Sequence, residues 1–378
     1  MRMLTIVVMV SLAAAAVAAP PEEIAVQGLY EGTATVGGKE SKLHARVVAT
    51  GDRQYQVFIR QAADGGGIQR AEFTGKTQGD EVAFEGAGWK GAYADGTIKG
   101  SIGGGSFELK RTEPRSPTLG KKPPEGAVVL LDGKSFDNLV RRSGPWYLGP
   151  MERDGWGVWE VPIRTIAKEP QTWPSEDKVV PEGWELTKDR RRVDEVIGID
   201  DDGSIRIPRG GMNSKPQFEG SFNAHVEFRV PFKPKDRGQG RGNSGVYLPC
   251  GQEIQVLDSF GMVTYKGGCC GGLYGMKDPD PMAVIESMRK QRDHKFPLAS
   301  FPPDAWQTYD IEVRVRNDAQ GKPAVFLTVY HNGIKIHDNV RLNRSPRKGS
   351  FHFQDHGNPV RYRNIWVLPV KDEPKGEF

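Results

Sequence analysis

The sequence predicts an all-β protein of two units, a small antiparallel barrel or meander followed by a jelly-roll sandwich of two sheets. Three observations carry the prediction. Short apolar and polar alternations recur through most of the 378 residues, and a period of two marks a strand with one buried face. Only residues 282–292 offer a convincing helical period. Glycine and proline, at 47 and 27 residues, both exceed their usual shares of about 7% and 5%, which supplies the turns that many short strands need.

Taken in order, the chain begins with a basic Arg2, an apolar run over 4–10 and an alanine-rich tract ending Ala16-Val17-Ala18-Ala19. This is the pattern of a secretory signal, residues 1–19, cleaved near Ala18 or Ala19. No cysteine follows the apolar core to take a lipid, and no later run approaches the roughly 20 apolar residues of a membrane span. The expected location is periplasmic or secreted. Removing Arg2 with the signal takes the formal net charge from +4 to +3. The dense basic run Arg190-Arg191-Arg192 is followed by acids from Asp194 to Asp202 and reads as a solvated loop. Nucleic acid is therefore not an expected partner.

Residues 24–112 form the first unit, with strand-like segments at 29–33, 42–48, 54–60, 71–75, 81–85, 96–102 and 106–110 between turn residues. It contains no catalytic cluster and reads as an accessory or packing domain; Tyr55, Trp89 and Tyr93 are the aromatics it would offer a sugar. Residues 113–125 hold four prolines without apolar rhythm, a stiff linker. The second unit, 126–372, opens with a buried strand at 127–131. It continues with strand segments at 204–207, 222–232, 244–248, 253–257, 309–315, 325–331, 351–353 and 360–370. Residues 146–202, carrying Trp156, Trp159, Trp173 and Trp184, fit that rhythm poorly and read as a long loop with room to line a site. Asn332-Gly333 marks a hairpin turn.

Three cysteines leave at least one unpaired, and a bridge from Cys250 to Cys269 or Cys270 stays open. Zinc lacks a second cysteine pair and histidines at ligand spacing. Asp200-Asp201-Asp202-Gly203 has the composition of a calcium loop without its spacing, so Ca2+ has no motif to support it. The glycines at 103–105 lie between β segments, which excludes a nicotinamide fingerprint. No cofactor is expected.

Chemistry concentrates on the later strands. With a period of two, Glu253 and Gln255 share one face and Ile254 and Val256 the other. The same rule puts His352, Gln354 and His356 opposite Phe351 and Phe353. For a conventional glycosidase, whose carboxylates stand about 5 to 10 Å apart, Glu253 with Asp258 is a poor pair. Five residues along one strand places them on opposite faces, some 17 Å apart. Glu227 across the sheet is the better second carboxylate.

At this point the residues carry a resemblance. Leu131-Asp132-Gly133, the run from Asn243 to Leu248, the run from Glu253 to Ser259, Gly272-Leu273-Tyr274-Gly275, Trp306 ahead of Tyr309-Asp310-Ile311, Asn332-Gly333, Gln354-Asp355-His356-Gly357 and the run from Val360 to Ile365 occur in the order of the 3-keto-disaccharide hydrolase domain family. The resemblance covers about 126–370 and implies a concanavalin A-like lectin/glucanase fold. It also implies cleavage of a glycoside already oxidised at C3, where the ketone acidifies the C2 proton and allows elimination of the C1 substituent, followed by hydration. Such chemistry needs a base, an acid for the leaving oxygen and donors for the enolate. His356 is the natural base and Glu253 the acid or the group orienting the base. Asp355 joins them only if a bulge brings it onto that face. Arg361 or Arg363 would stabilise the enolate, and Gln255, Gln354, Asn243 and Tyr274, with Glu227, complete a sugar-binding set. A separate oxidoreductase would make the ketone. Two other readings remain open, a non-catalytic lectin-like sugar binder and a conventional two-carboxylate glycosidase.

Overall fold

The computed structural model describes residues 22–63, 67–135, 137–141, 164–166, 184–186, 199–286 and 295–371. The signal segment and most of the tryptophan-rich insertion lie outside the described residues.

The first unit is a closed barrel of eight antiparallel strands in sequence order. It closes because Gly28–Val36 pairs with Lys39–Gly51 on one side and with Gly105–Thr112 on the other. Alternation builds it: in Glu81–Gly86, Val82 and Phe84 are buried while Glu81, Ala83 and Glu85 are exposed. Trp89–Ala94 is a strand that alternation does not announce, because Gly91 and two alanines blur the pattern. Aromatic rings fill the interior, Phe73 stacked on Trp89 at 5.7 Å and Trp89 edge-on to Phe107 at 4.9 Å. Trp89 and Tyr55 thus belong to the core, and Tyr93 donates its hydroxyl to the Ala25 carbonyl at 3.1 Å.

The second unit is a two-sheet sandwich. Its long sheet runs Ile205–Arg206, Arg361–Pro369, Phe222–Arg229, Gln307–Asn317, Pro323–His331 and Ile334–Arg341, with Val128–Leu131 also paired to Arg361–Pro369. The short sheet runs Leu139–Arg141, Met212–Ser214, His352–Phe353, Ser244–Tyr247 and Glu253–Val256. Ala224, Val226, Phe228, Tyr309, Ile311 and Tyr362 from one sheet meet Val246, Ile254, Val256 and Phe353 from the other in a single core. Asn332 (φ 51) and Gly333 (φ 79) make the expected hairpin turn, both in the left-handed region that such a turn demands.

One expectation is corrected and one open question is closed. Residues 282–284 form the strand Met282–Val284, paired with Lys295–Pro297, because Ala283 and Ile285 bury against the barrel; the rest of the anticipated helix lies outside the described residues. The three cysteines are free and buried. Cys250 packs beside Phe218, Phe222 and Arg347, whereas the Cys270 thiol meets the Tyr309 hydroxyl at 3.2 Å in the core, so no bridge forms.

The proline-rich segment is a docked strap. It crosses the outer face of the long sheet, where His225 sits wholly buried with Nδ1 3.0 Å from Asp310 and Nε2 3.4 Å from Glu227. Buried charges need partners, and the strap supplies them. Thr118 donates to Asp310 at 2.6 Å, Lys121 to Asp310 at 3.0 Å, and the Gly120 N–H to Glu227 at 2.6 Å. Burial pushes the Glu227 carboxyl up, but the bonds from His225, Asn364, Gly120 and Arg363 more than reverse this and hold it at about 2. Burial pulls His225 down, and its bonds to Asp310 and then Glu227 raise it above the usual imidazole value. Glu227→Ala is expected to destabilise the fold by about 3–5 kcal/mol, since it strands a buried cation. A depressed carboxylate contributes stability above its unfolded value, so that contribution disappears as pH falls from the ordinary 4.5 toward about 2. Urea unfolding of wild type and variant across that range checks both statements, and the gap between them should close in acid.

Candidate active site

The outer face of the short sheet gathers the chemistry. Register alone builds one row across four strands: Asn213 stands opposite His352, His352 opposite Tyr247, and Tyr247 opposite Glu253. Their neighbours Met212, Phe353, Val246 and Ile254 point into the core, as the period of two requires.

Glu253 is 5% exposed. Its carboxylate lies over Gly245, where an added Cβ would fall 2.1 Å from Oε1. Burial pushes the Glu253 carboxyl above the ordinary carboxylate range, opposed only in part by a hydrogen bond with Tyr247. A carboxyl that holds its proton more tightly than usual at the floor of a polar face is suited to donate it. Gly245→Ala should leave the fold intact but displace this group. Turnover is expected to fall about 100-fold, the scale for a misplacement near 1 Å, with an unchanged far-UV circular dichroism spectrum.

The rings of Tyr247 and His352 lie 5.3 Å apart. Gln354 donates its amide to the Tyr247 hydroxyl at 3.3 Å. His352 Nδ1 is 2.8 Å from Asn213 Oδ1; with that oxygen as acceptor, Nδ1 carries the proton and Nε2 the lone pair. Amides occupy the next row. Gln255 donates to Gln239 Oε1 at 2.7 Å, Asn243 donates to the Gln239 carbonyl at 2.9 Å, and Gln239 donates to the Gly268 carbonyl at 2.8 Å. Gln255 Oε1 and Asn243 Oδ1 are buried without partners. At the edge beside Glu253, Tyr265 and Tyr274 join hydroxyls at 2.8 Å, each 44% exposed. The Tyr274 N–H donates to the Glu253 carbonyl at 3.1 Å, which fixes that pair against the row.

Of the residues expected from sequence, Glu253, Gln255, Gln354, Asn243 and Tyr274 come together here. The others do not. The strand ends at Phe353, so the face shared by His352 and Gln354 does not extend to His356, which is exposed on the following turn. Asp355 turns back to backbone, accepting from Gly210 N at 2.9 Å and Gly357 N at 2.8 Å. Arg361, Arg363 and Glu227 lie on the outer face of the other sheet, across the core from Glu253. There Arg363 donates to Glu227 at 2.7 Å and lies 4.0 Å from the Trp306 ring centroid, while Arg361 pairs with Asp200. Glu227 is accordingly no second carboxylate for Glu253, and Asp258 is spent on Arg241, wholly buried at 2.7 Å. Asn213, Gln239, Tyr247, His352 and Tyr265 were not among the expected site residues. Tyr247 was legible, two residues from Gly245 on a recognised strand; Asn213 was hidden because its strand is only three residues, Met-Asn-Ser, too short for a sequence period to show. Among the described residues, no three His, Cys, Asp or Glu side chains converge to hold a metal.

A jelly-roll sandwich bearing a polar row, an amide cluster and exposed tyrosines around one carboxyl defines a carbohydrate-active domain. The particular family follows from the sequence match: residues 167–368 fit the 3-keto-alpha-glucoside-1,2-lyase-like domain, and the chain belongs to that family. A candidate glycosyl hydrolase from Parabacteroides distasonis ATCC 8503, known from its crystal structure, is similar at 22% identity over 65% of this chain and 85% of that one, with a TM-score of 0.41. No protein of curated function matches the chain.

Proposed function

We propose that this protein is an exported enzyme that cleaves the glycosidic bond of a 3-keto-glycoside by elimination. The observation that carries the reading is Glu253, a carboxyl raised by burial and held between Gly245 and Tyr247 on the polar face of a chain in this family. In the proposed course His352 Nε2 removes the C2 proton, and the electrons move into the C3 carbonyl to give an enolate. As the enolate collapses, the C1–O bond breaks and Glu253 gives its proton to the leaving oxygen. Gln354 and Gln255 bind hydroxyls, and Tyr265 with Tyr274 present an aromatic surface to the ring. Glu253 and His352 stand two strands apart, about 10 Å between backbones at the usual strand spacing, with Tyr247 between them, so the sugar would lie over the Tyr247 side chain. Water adding to the enone would complete a net hydrolysis. A separate sugar oxidoreductase would supply the ketone.

The test is release of the aglycone from a 3-keto-glucoside and from its parent glucoside. Cleavage of the keto sugar alone, with an enone absorbance appearing before hydration, supports the proposal. Equal cleavage of the parent would replace it with ordinary glycoside hydrolysis, and binding without cleavage of either would replace it with a lectin role.

A further inference from the structure

The barrel carries a buried patch on its outer wall. On Lys39–Gly51, the residues Leu43, Ala45, Val47 and Ala49 face the barrel interior, so Arg46 and Val48 point outward. Yet Arg46 is 6% exposed and Val48 fully buried. Phe58, paired across from Arg46, is covered as well. What covers them is the segment between the edge strand of the short sheet and the long sheet: Phe260, Ala283, Ile285 and Phe296 form one cluster with Val48 and Phe58. Arg46 sits at its centre. The guanidinium lies 4.4 Å from the Phe260 ring centroid and 4.9 Å from that of Phe296. It also donates to the carbonyls of Pro297 at 3.4 Å and Leu298 at 3.1 Å. The approach is close enough that a Cβ on Gly261, at φ +73, would fall 2.3 Å from Val48 Cγ2.

The same segment reaches the active face. From Phe260 it runs to Tyr265, then returns along the edge strand, where Gln255 N donates to the Gly272 carbonyl and Gly271 N to the Gln255 carbonyl, both at 2.9 Å. It then delivers Tyr274 to Glu253. One end of the segment is held by the barrel and the other forms the aromatic wall of the site.

We propose that Arg46 is a positioning residue for the active face, holding the segment that sets Tyr265 and Tyr274 beside Glu253. The barrel is thereby part of the machinery rather than an appendage. The sugar-binding consequence rests on the function proposed above; the mechanical one does not. Burial holds the Arg46 guanidinium low, reinforced by repulsion from Arg60 and opposed by Asp258, at about 9. It remains charged at neutral pH, and a neutral side chain of similar length removes both the ring contacts of a cation and the carbonyl bonds.

The experiment uses the full-length protein with Arg46→Met, Arg46→Lys and, as a smaller change at the same joint, Phe58→Leu. Hydrogen exchange should speed about tenfold over residues 258–277 in Arg46→Met, while the long-sheet strand 222–229 stays as in wild type. KM for the keto-glycoside should rise about tenfold with kcat changed less than about threefold, because the tyrosine wall binds rather than reacts. Arg46→Lys should recover part of both effects. Unchanged exchange over 258–277 in the folded variants overturns the proposal, as does faster exchange with KM unmoved. If wild type turns over no keto-glycoside, the functional reading fails by itself, and the exchange comparison still decides whether the barrel holds this segment.

Discussion

Replacing Glu253 by Gln is expected to lower turnover by about 100- to 10,000-fold, the range for loss of a general acid, while making the protein more stable at neutral and higher pH. The two effects share a cause. Burial raises the Glu253 carboxyl, so the folded state favours the protonated form. A group whose folded pKa lies above its unfolded value contributes stability at low pH and loses that contribution as pH rises through the folded value. Glutamine keeps the shape of the protonated acid and cannot lose a proton. Urea unfolding should therefore show variant and wild type alike below the ordinary carboxyl value of 4.5, with the variant ahead above it. The rate of the wild type should fall on the alkaline side as Glu253 ionises. A variant that lost activity but tracked wild-type stability at every pH would mean that the carboxyl is ordinarily ionised, and the acid role would go with it.

The second large effect separates two histidines. His352→Ala is expected to reduce turnover of a keto-glycoside by about 100-fold or more, whereas His356→Ala should remain within about threefold of wild type, the scale of an exposed substitution away from the reacting atoms. His352 stands in the row with Tyr247 and Glu253, its ring fixed by Asn213 at 2.8 Å; His356 is exposed beyond the strand end. Asn213→Ala, which removes the Asn213 bond to the ring but keeps the ring, should cost less than His352→Ala. Primary isotope effects at C2 give an independent check, since a base-limited step slows with deuterium and a glycosidase step does not. The opposite ranking of the histidines would move the base to the turn.

Much of this was legible beforehand because the strands of the sandwich obey a period of two. Glu253 and Gln255 opposite Ile254 and Val256 could be assigned by counting, and they are where counting puts them. Counting fails where a strand stops. Nothing in Phe353-Gln354-Asp355-His356 announces that pairing ends after Phe353 and that Asp355 folds back on Gly210 and Gly357. It also cannot say which of two sheets a strand joins. Glu227 and Arg363 have strand patterns as good as that of Glu253, but long-range pairing sends them to the other outer face, under the strap. The strap itself was unreadable, since prolines without apolar rhythm look like a spacer until Thr118, Gly120 and Lys121 are seen satisfying buried carboxylates.

The returning segment along Glu253–Val256 has one more effect. An outermost strand ordinarily presents a row of unpaired amides, and an extended polymer of any kind can attach to it by backbone bonding. Here Gly271, Gly272 and Tyr274 occupy those positions, and the barrel, being closed, has no border of its own. At this edge, then, an incoming molecule meets side chains rather than a free backbone ladder.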